Sequence, residues 1–214
     1  MNRVKFLSKI TLTASLLLAL VLTVSCSSNK EEEETTEQDP PINPQIYNLD
    51  GSPYAGSGTI ELSGNYACDG GNCTWTGLNV GSAANGIITL NLPENVPAEF
   101  LGNFSDAFKG CNTDVKVFSG DVILTNDSRE YLGKLTIGYM DKTQEETGYI
   151  YFSKAEKITC ESQQEGYKIV FNMNVKKGWN RVYIQGKVMA DNSIVADFTT
   201  NNILTKELTW LIIK

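Results

Sequence analysis

The chain contains five thiols, and the first, Cys26, stands where its surroundings prescribe its chemistry. Upstream lie the cations Arg3, Lys5 and Lys9, then an apolar run from Ile10 to Val24 broken only by Thr and Ser, then the small residue Ser25. That order is the cationic, apolar and small-residue succession of an export signal. A cysteine just past the cleavage point is what a lipid-modified signal requires: the thiol takes a diacylglycerol, the leader is cut away, and the new α-amine is acylated. Such signals usually carry Leu three residues before the cysteine, whereas here Leu22 stands four before it and Thr23 three. The competing reading is a secreted chain cut near Ser25, with Cys26 incidental. The apolar run is shorter than the roughly 20 residues a spanning helix needs. Acyl chains, at about 0.8 kcal/mol per buried methylene, would hold the protein on a bilayer without help from the fold.

With Cys26 acylated, an even set remains: Cys68, Cys73, Cys111 and Cys160. An even number in an exported chain favours disulfides. Cys68 and Cys73 flank the turn Asp69-Gly70-Gly71-Asn72, which predicts Cys68–Cys73 and leaves Cys111 with Cys160. The rival, a redox or metal pair, lacks the C-x-x-C spacing and further ligands nearby. Histidine is absent, which removes Ser-His-Asp and Cys-His nucleophile systems and His metal sites. Glycoside hydrolysis needs only two carboxylates, about 5.5 Å or about 6.5–9.5 Å apart. Asp121, Glu130, Glu156 and Asp197 lie near predicted strands, but no spacing pairs them, and outward-facing solvent positions explain them. The oxygen-rich turns Asp69–Asn72 and Asn126-Asp127-Ser128 do not fit a calcium loop, so no metal or cofactor is expected. Trp179, followed by Asn180, sits at a predicted bend, where an indole either stacks on a sugar ring or folds back as a lid on the core.

The elements that must position these residues are mostly strands. The chain carries 18 basic and 25 acidic residues, and loss of the leader makes it still more acidic. Nucleic acid is a poor partner for such a charge. Hydrophobic content of 41% suffices for a core. Lys30, the run Glu31–Glu34 and the polar stretch to Pro40-Pro41 and Pro44 read as an extended tether. The expected organisation is a leader over 1–25, a tether over 26–45 and a β domain over 46–214, or two closely packed β subdomains. Strands are predicted at 57–67, 73–80, 86–92, 114–125 with a break near Gly120, 131–140, 148–153, 155–160, 166–175, 180–189, 193–199 and 207–213. Tyr167, Ile169, Phe171, Met173 and Val175 alternate with polar neighbours and predict one buried face. Strands at this spacing, separated by Gly, Asn and Asp, indicate an all-β fold: an antiparallel sandwich, or a barrel-like closure, stapled by disulfides. Pro97–Phe108 reads as the one short helix, with Phe100, Leu101, Phe104 and Phe108 capping an open end of the sheet.

Two resemblances add location. Lys30 followed by an acidic run beside the acylated cysteine resembles the surface-export signal of lipoproteins in Bacteroidota, which implies the outer face of the outer membrane. Lys176-Lys177-Gly178-Trp179-Asn180 with Arg181-Val182-Tyr183-Ile184, together with Gly86–Pro93 and Leu208-Thr209-Trp210, resembles features of small β-rich surface lipoproteins of Bacteroidota and spirochaetes. That resemblance implies β-architecture and a surface location and carries over no catalytic residue. The sequence thus predicts a non-enzymatic, membrane-anchored module that binds an extracellular glycan or protein, with Trp179 and Asn180 as candidate contacts. The second class is a structural subunit that assembles through an open edge strand near a terminus, and the third a His-free glycosidase. Replacement of Cys26 by Ala is expected to abolish an acyl-sized mass increment and release the protein from membranes. Intact-mass spectrometry with membrane fractionation reads both.

Overall fold

The computed structural model describes residues 42–69, 72–139, 145–164, 167–190, 193–203 and 208–214. The leader, Cys26, the acidic run and most of the tether lie outside them. Fourteen strands form one connected sheet: β1 (Ile42–Asn48), β2 (Gly58–Asp69), β3 (Asn72–Ala84), β4 (Ile87–Leu90), β5 (Gly102–Asn103), β6 (Lys116–Phe118), β7 (Asp121–Thr125), β8 (Tyr131–Gly138), β9 (Glu145–Phe152), β10 (Glu156–Gln164), β11 (Tyr167–Val175), β12 (Gly178–Val188), β13 (Ile194–Thr199) and β14 (Leu208–Ile213).

Of these, β8, β14, β1, β4, β3, β2 and β7 close on themselves as a seven-stranded barrel, because β7 pairs back onto β8. Of the two β architectures the sequence allowed, the barrel is the one formed. Its interior is filled, not hollow: Ile46, Ile60, Leu62, Leu124, Leu135, Leu208 and Trp210 pack in one cluster. The closure is not purely antiparallel. β1 runs parallel to β14, and this zips the two ends of the described chain together. The β3–β4 hairpin turns at Asn85-Gly86 with φ of 51° and 77°, the left-handed pair that a tight two-residue hairpin needs and that Asn-Gly supplies at least cost. A Cβ on Gly86 would also lie 1.7 Å from the Tyr54 carbonyl oxygen.

From β8 the sheet continues outward as β9, β12, β13, β11 and β10. This side sheet buries both faces of its central strands. On one face Tyr151, Tyr183 and Trp179 join the barrel cluster. On the other, Val182, Ile169, Phe171, Met173, Val175 and Phe198 form a second core. The predicted alternation of β11 is observed, with Ile169 to Val175 buried and Asn172 and Asn174 exposed. A second parallel pair, β11 with β13, lies here.

The helix predicted over Pro97–Phe108 is corrected. A single 3-10 turn (Ala98–Phe100) is followed by β5 and one helical turn, α1 (Phe104–Ala107). Gly102 and Asn103, poor helix residues, pair with Val117 and Lys116 instead. The break lets the aromatic residues serve two cores: Phe100 and Leu101 pack on the barrel cluster, Phe104 and Phe108 on the second. Phe104, Phe108 and Phe171 meet with ring centroids 4.6–5.0 Å apart, close enough for favourable edge contacts. The structure also begins earlier than expected, since β1 starts at Ile42. Pro44 is tolerated because the β1–β14 register shifts between Asn43 and Ile46, a bulge where a missing N–H does no harm.

Leu135 lies on β8 and is 2% exposed in the barrel core. Leu135→Ala is expected to cost about 2–5 kcal/mol, read as a lowered midpoint in urea unfolding.

Candidate functional site

Trp179 and Asn180 lie at the start of β12, directly after the turn from β11, and the structure commits both to holding that turn. Asn180 is buried. Its amide donates to the carbonyls of Lys176 at 2.7 Å and Gly178 at 2.9 Å, and its Oδ1 accepts from the Lys176 N–H at 2.9 Å. Gly178 takes a φ of 99° in the same turn. The Trp179 indole N–H donates to the Pro93 carbonyl at 2.7 Å. Its ring meets Tyr151 and Phe118 edge to face, with centroids 5.5 and 6.3 Å away. Of the two roles open to a half-buried Trp179, these contacts are those of packing: the indole is a strut between the side sheet and the barrel, and the Asn180 amide locks the bend.

The opposite end of the side sheet is different in kind. There the ends of β10 and β12 and the starts of β11 and β13 surround an open hollow of about 730 Å³, lined by Gln163, Tyr167, Lys168, Met189, Ser193 and Ile194, with Ala190 and Val195. Strand register explains the grouping. Gln163 lies opposite Lys168, Lys168 beside Val195, and Val195 opposite Lys187, so these side chains share one row across four strands. Tyr167 and Ile194 are partners in the row at the strand starts. The hairpin that bears Met189 is closed by its N–H donating to the Ser193 carbonyl at 2.8 Å. Val188 and Met189 remain 50% and 48% exposed, an apolar tip on an otherwise polar hairpin. Lys168 reaches Glu161 at 2.7 Å and Lys187 reaches Asp197 at 2.6 Å, so cation and carboxylate alternate across this face. None of the described lining residues is a carboxylate.

This hollow was not singled out in the sequence. Tyr167 was assigned to the buried face of β11, and it does pack, half-buried, against the second core at the start of that strand. The signal that marks the place is the apolar run Val188-Met189-Ala190 continuing past the strand end into a turn.

Each carboxylate considered for glycoside hydrolysis has its own partner. Asp121 pairs with Lys134, Glu156 with Lys154, Asp197 with Lys187, and Glu130 accepts from Asn126 at 2.6 Å. They lie on different elements and do not face one another as an acid and base. The Asn126 Oδ1 accepts from the N–H groups of Ser128 and Glu130, an ordinary side-chain-capped turn. Among the described residues no group of three or more potential ligands gathers around a metal position.

Cys111 and Cys160 are joined as expected, with Cα atoms 5.3 Å apart. Cys68 and Cys73 are opposite each other in the β2–β3 register, the backbone placement that a bridge across the turn requires, and their side chains lie outside the described residues. Family models, curated proteins and solved structures were compared with the chain, and none matches.

Asn180→Ala removes the three hydrogen bonds that this buried side chain makes to the turn. It is expected to cost about 1–3 kcal/mol in thermal unfolding monitored by circular dichroism, through loss of the turn lock.

Proposed function

We propose that the chain is a lipid-anchored lipoprotein of the outer membrane, exposed at the cell surface, whose barrel carries a glycan-binding side sheet. Cys26 supplies the anchor, the acidic tether the reach, and the hollow between β10, β11, β12 and β13 the recognition surface. The single observation that carries the binding reading is the meeting of three kinds of group in that hollow. Tyr167 offers an aromatic face, Met189, Ile194 and Val195 offer apolar surface, and Gln163, Lys168 and Ser193 offer donors and acceptors. A ligand site needs mostly apolar walls with a few polar groups that fix orientation. A sugar chain, with CH-rich faces and many hydroxyls, matches an open trough of this composition better than a compact apolar molecule does.

Assembly through an open strand near a terminus finds less support. β1 has β14 and β4 as neighbours, and β14 has β1 and β8, so both terminal strands lie within the barrel wall. Hydrolysis finds less still, given the dispersed and individually paired carboxylates.

The test is heteronuclear NMR of the mature protein titrated with cello-, xylo-, manno- and chito-oligosaccharides. Shifts confined to Tyr167, Lys168, Met189 and Ser193–Val195 are expected for at least one of them. Tyr167→Ala should weaken that binding about tenfold, equivalent to about 1.4 kcal/mol. Shifts centred on Trp179, or none across the whole panel, would contradict the proposal.

A further inference from the structure

β10 is the outermost strand of the side sheet and pairs with β11 alone. An unpaired strand edge is a template for another chain, and proteins commonly cover it. Here the cover is residues 110–116, which run beside β10 in the opposite direction. Gly110 comes so close to the Glu161 carbonyl that a Cβ would lie 2.6 Å from its oxygen, and its φ is 100°. Next, Cys111 is bonded to Cys160, with a Cα spacing of 5.3 Å that equals the separation of neighbouring antiparallel strands, about 4.5–5.5 Å. Then the Thr113 hydroxyl donates to Glu156 at 2.7 Å, Asp114 pairs with Lys154, and Lys116 and Ser153 exchange hydrogen bonds of 2.9 Å. Lys154 holds the Asp114 carboxyl below its ordinary range, chiefly by hydrogen bonding and then by charge.

The strap is close to β10 yet forms no ladder with it. Among the described residues, its backbone-to-backbone hydrogen bonding to 153–164 is confined to Ser153 and Lys116. Against β10 itself it is held by side chains and one covalent bond, and it leaves the backbone groups along most of that edge without a ladder partner. Its other side is anchored: the Phe104 N–H donates to the Val115 carbonyl at 3.0 Å, and Cys111 and Val115 are buried in the second core with Phe104 and Phe108.

We infer that the Cys111–Cys160 disulfide locks an edge guard, and that β10, once unlocked, docks antiparallel against β10 of a second copy of this chain. The occupant follows from charge order. Antiparallel pairing centred on Thr159 sets Lys157 opposite Glu161 of the second copy, and Glu161 opposite its Lys157. Opposite charges facing across strands stabilise a pair and like charges oppose it. Lys157 is exposed, and the Glu161 side chain is 61% exposed although it also reaches Lys168. Unlocking is a two-electron reduction by a dithiol. Its thiolate attacks one sulfur of the bridge, a mixed disulfide forms, and its second thiol resolves that bond. Cys111 and Cys160 leave as thiols and the reductant as its own disulfide. This device is independent of the glycan reading of the hollow, and either can fail alone.

Sedimentation velocity of the mature protein tests it. Wild type should remain monomeric, while Cys111→Ser/Cys160→Ser should double in mass with rising concentration. Adding Lys157→Glu to that variant should raise the dimer dissociation constant at least about tenfold, since it sets two pairs of like charges opposite each other. The same measurement on folded wild type in dithiothreitol does not rely on the double variant folding, because the chain is unlocked after it has folded. The Lys157→Glu comparison assigns any association there to β10, not to the other thiols. A monomer under both unlocked conditions, or a dimer indifferent to Lys157→Glu, would overturn the inference.

Discussion

A strand has two hydrogen-bonding edges, and β8 must serve three neighbours. One edge is given to β14 from Lys134 to Gly138. The other is divided: Tyr131–Leu135 pair with β7 and close the barrel, while Ile137 and Gly138 pair with β9 and start the side sheet. β7 and β9 therefore have to diverge within two residues, and the space that opens between them has to be filled. Phe118, Tyr151, Tyr183 and the Trp179 indole belong to the cluster that does so, continuous with the barrel core. The fork is the constraint from which the rest of the architecture follows, because it makes the barrel wall and the side sheet one hydrogen-bonded surface.

The position of the fork also divides the side sheet into a packing end and an open end. Near the β11–β12 turn, Trp179 and Asn180 have their polar groups engaged by the protein itself. At the far end, where β11 and β13 begin, the barrel provides no cover and Val188 and Met189 face solvent. The arm that leaves the barrel after β4 is committed to the second core through Phe104 and Phe108 and then to the flank of β10 through Cys111. That leaves the β12–β13 hairpin as a corner of the side sheet with exposed apolar side chains beside polar ones. The barrel interior is filled by side chains such as Ile60, Leu124 and Trp210.

Much of this was legible in the sequence, in specific ways. Period-two alternation located β11, and Gly120 marked the break between β6 and β7. The Cys111–Cys160 bond followed from setting Cys26 aside and assigning Cys68 and Cys73 to each other across the Asp69–Asn72 turn. β1 was missed because Pro44 argues against a strand unless a bulge accepts it, and a bulge is visible only in the register with β14, some 160 residues away. The helix was overextended because the spacing of Phe100, Phe104 and Phe108 fits one helical face, whereas the structure sends those rings to two different cores. Trp179 was ambiguous by nature, since exposure of an indole depends on what the fold brings against it, here Pro93 and Tyr151. The hollow was invisible because its row of Gln163, Lys168, Val195 and Lys187 exists only across four paired strands. Closure at a shared strand likewise leaves no local mark.

The central claim, that barrel and side sheet are one unit joined at β8, is tested most directly by native-state hydrogen exchange in rising denaturant, read on peptides from β14 and from β12. The account predicts that the two sets of amides open together with one free energy and one denaturant dependence, as members of a single cooperative unit. Opening of β12 at markedly lower free energy, while β14 stays protected, would contradict it and show the side sheet to be a separate subdomain.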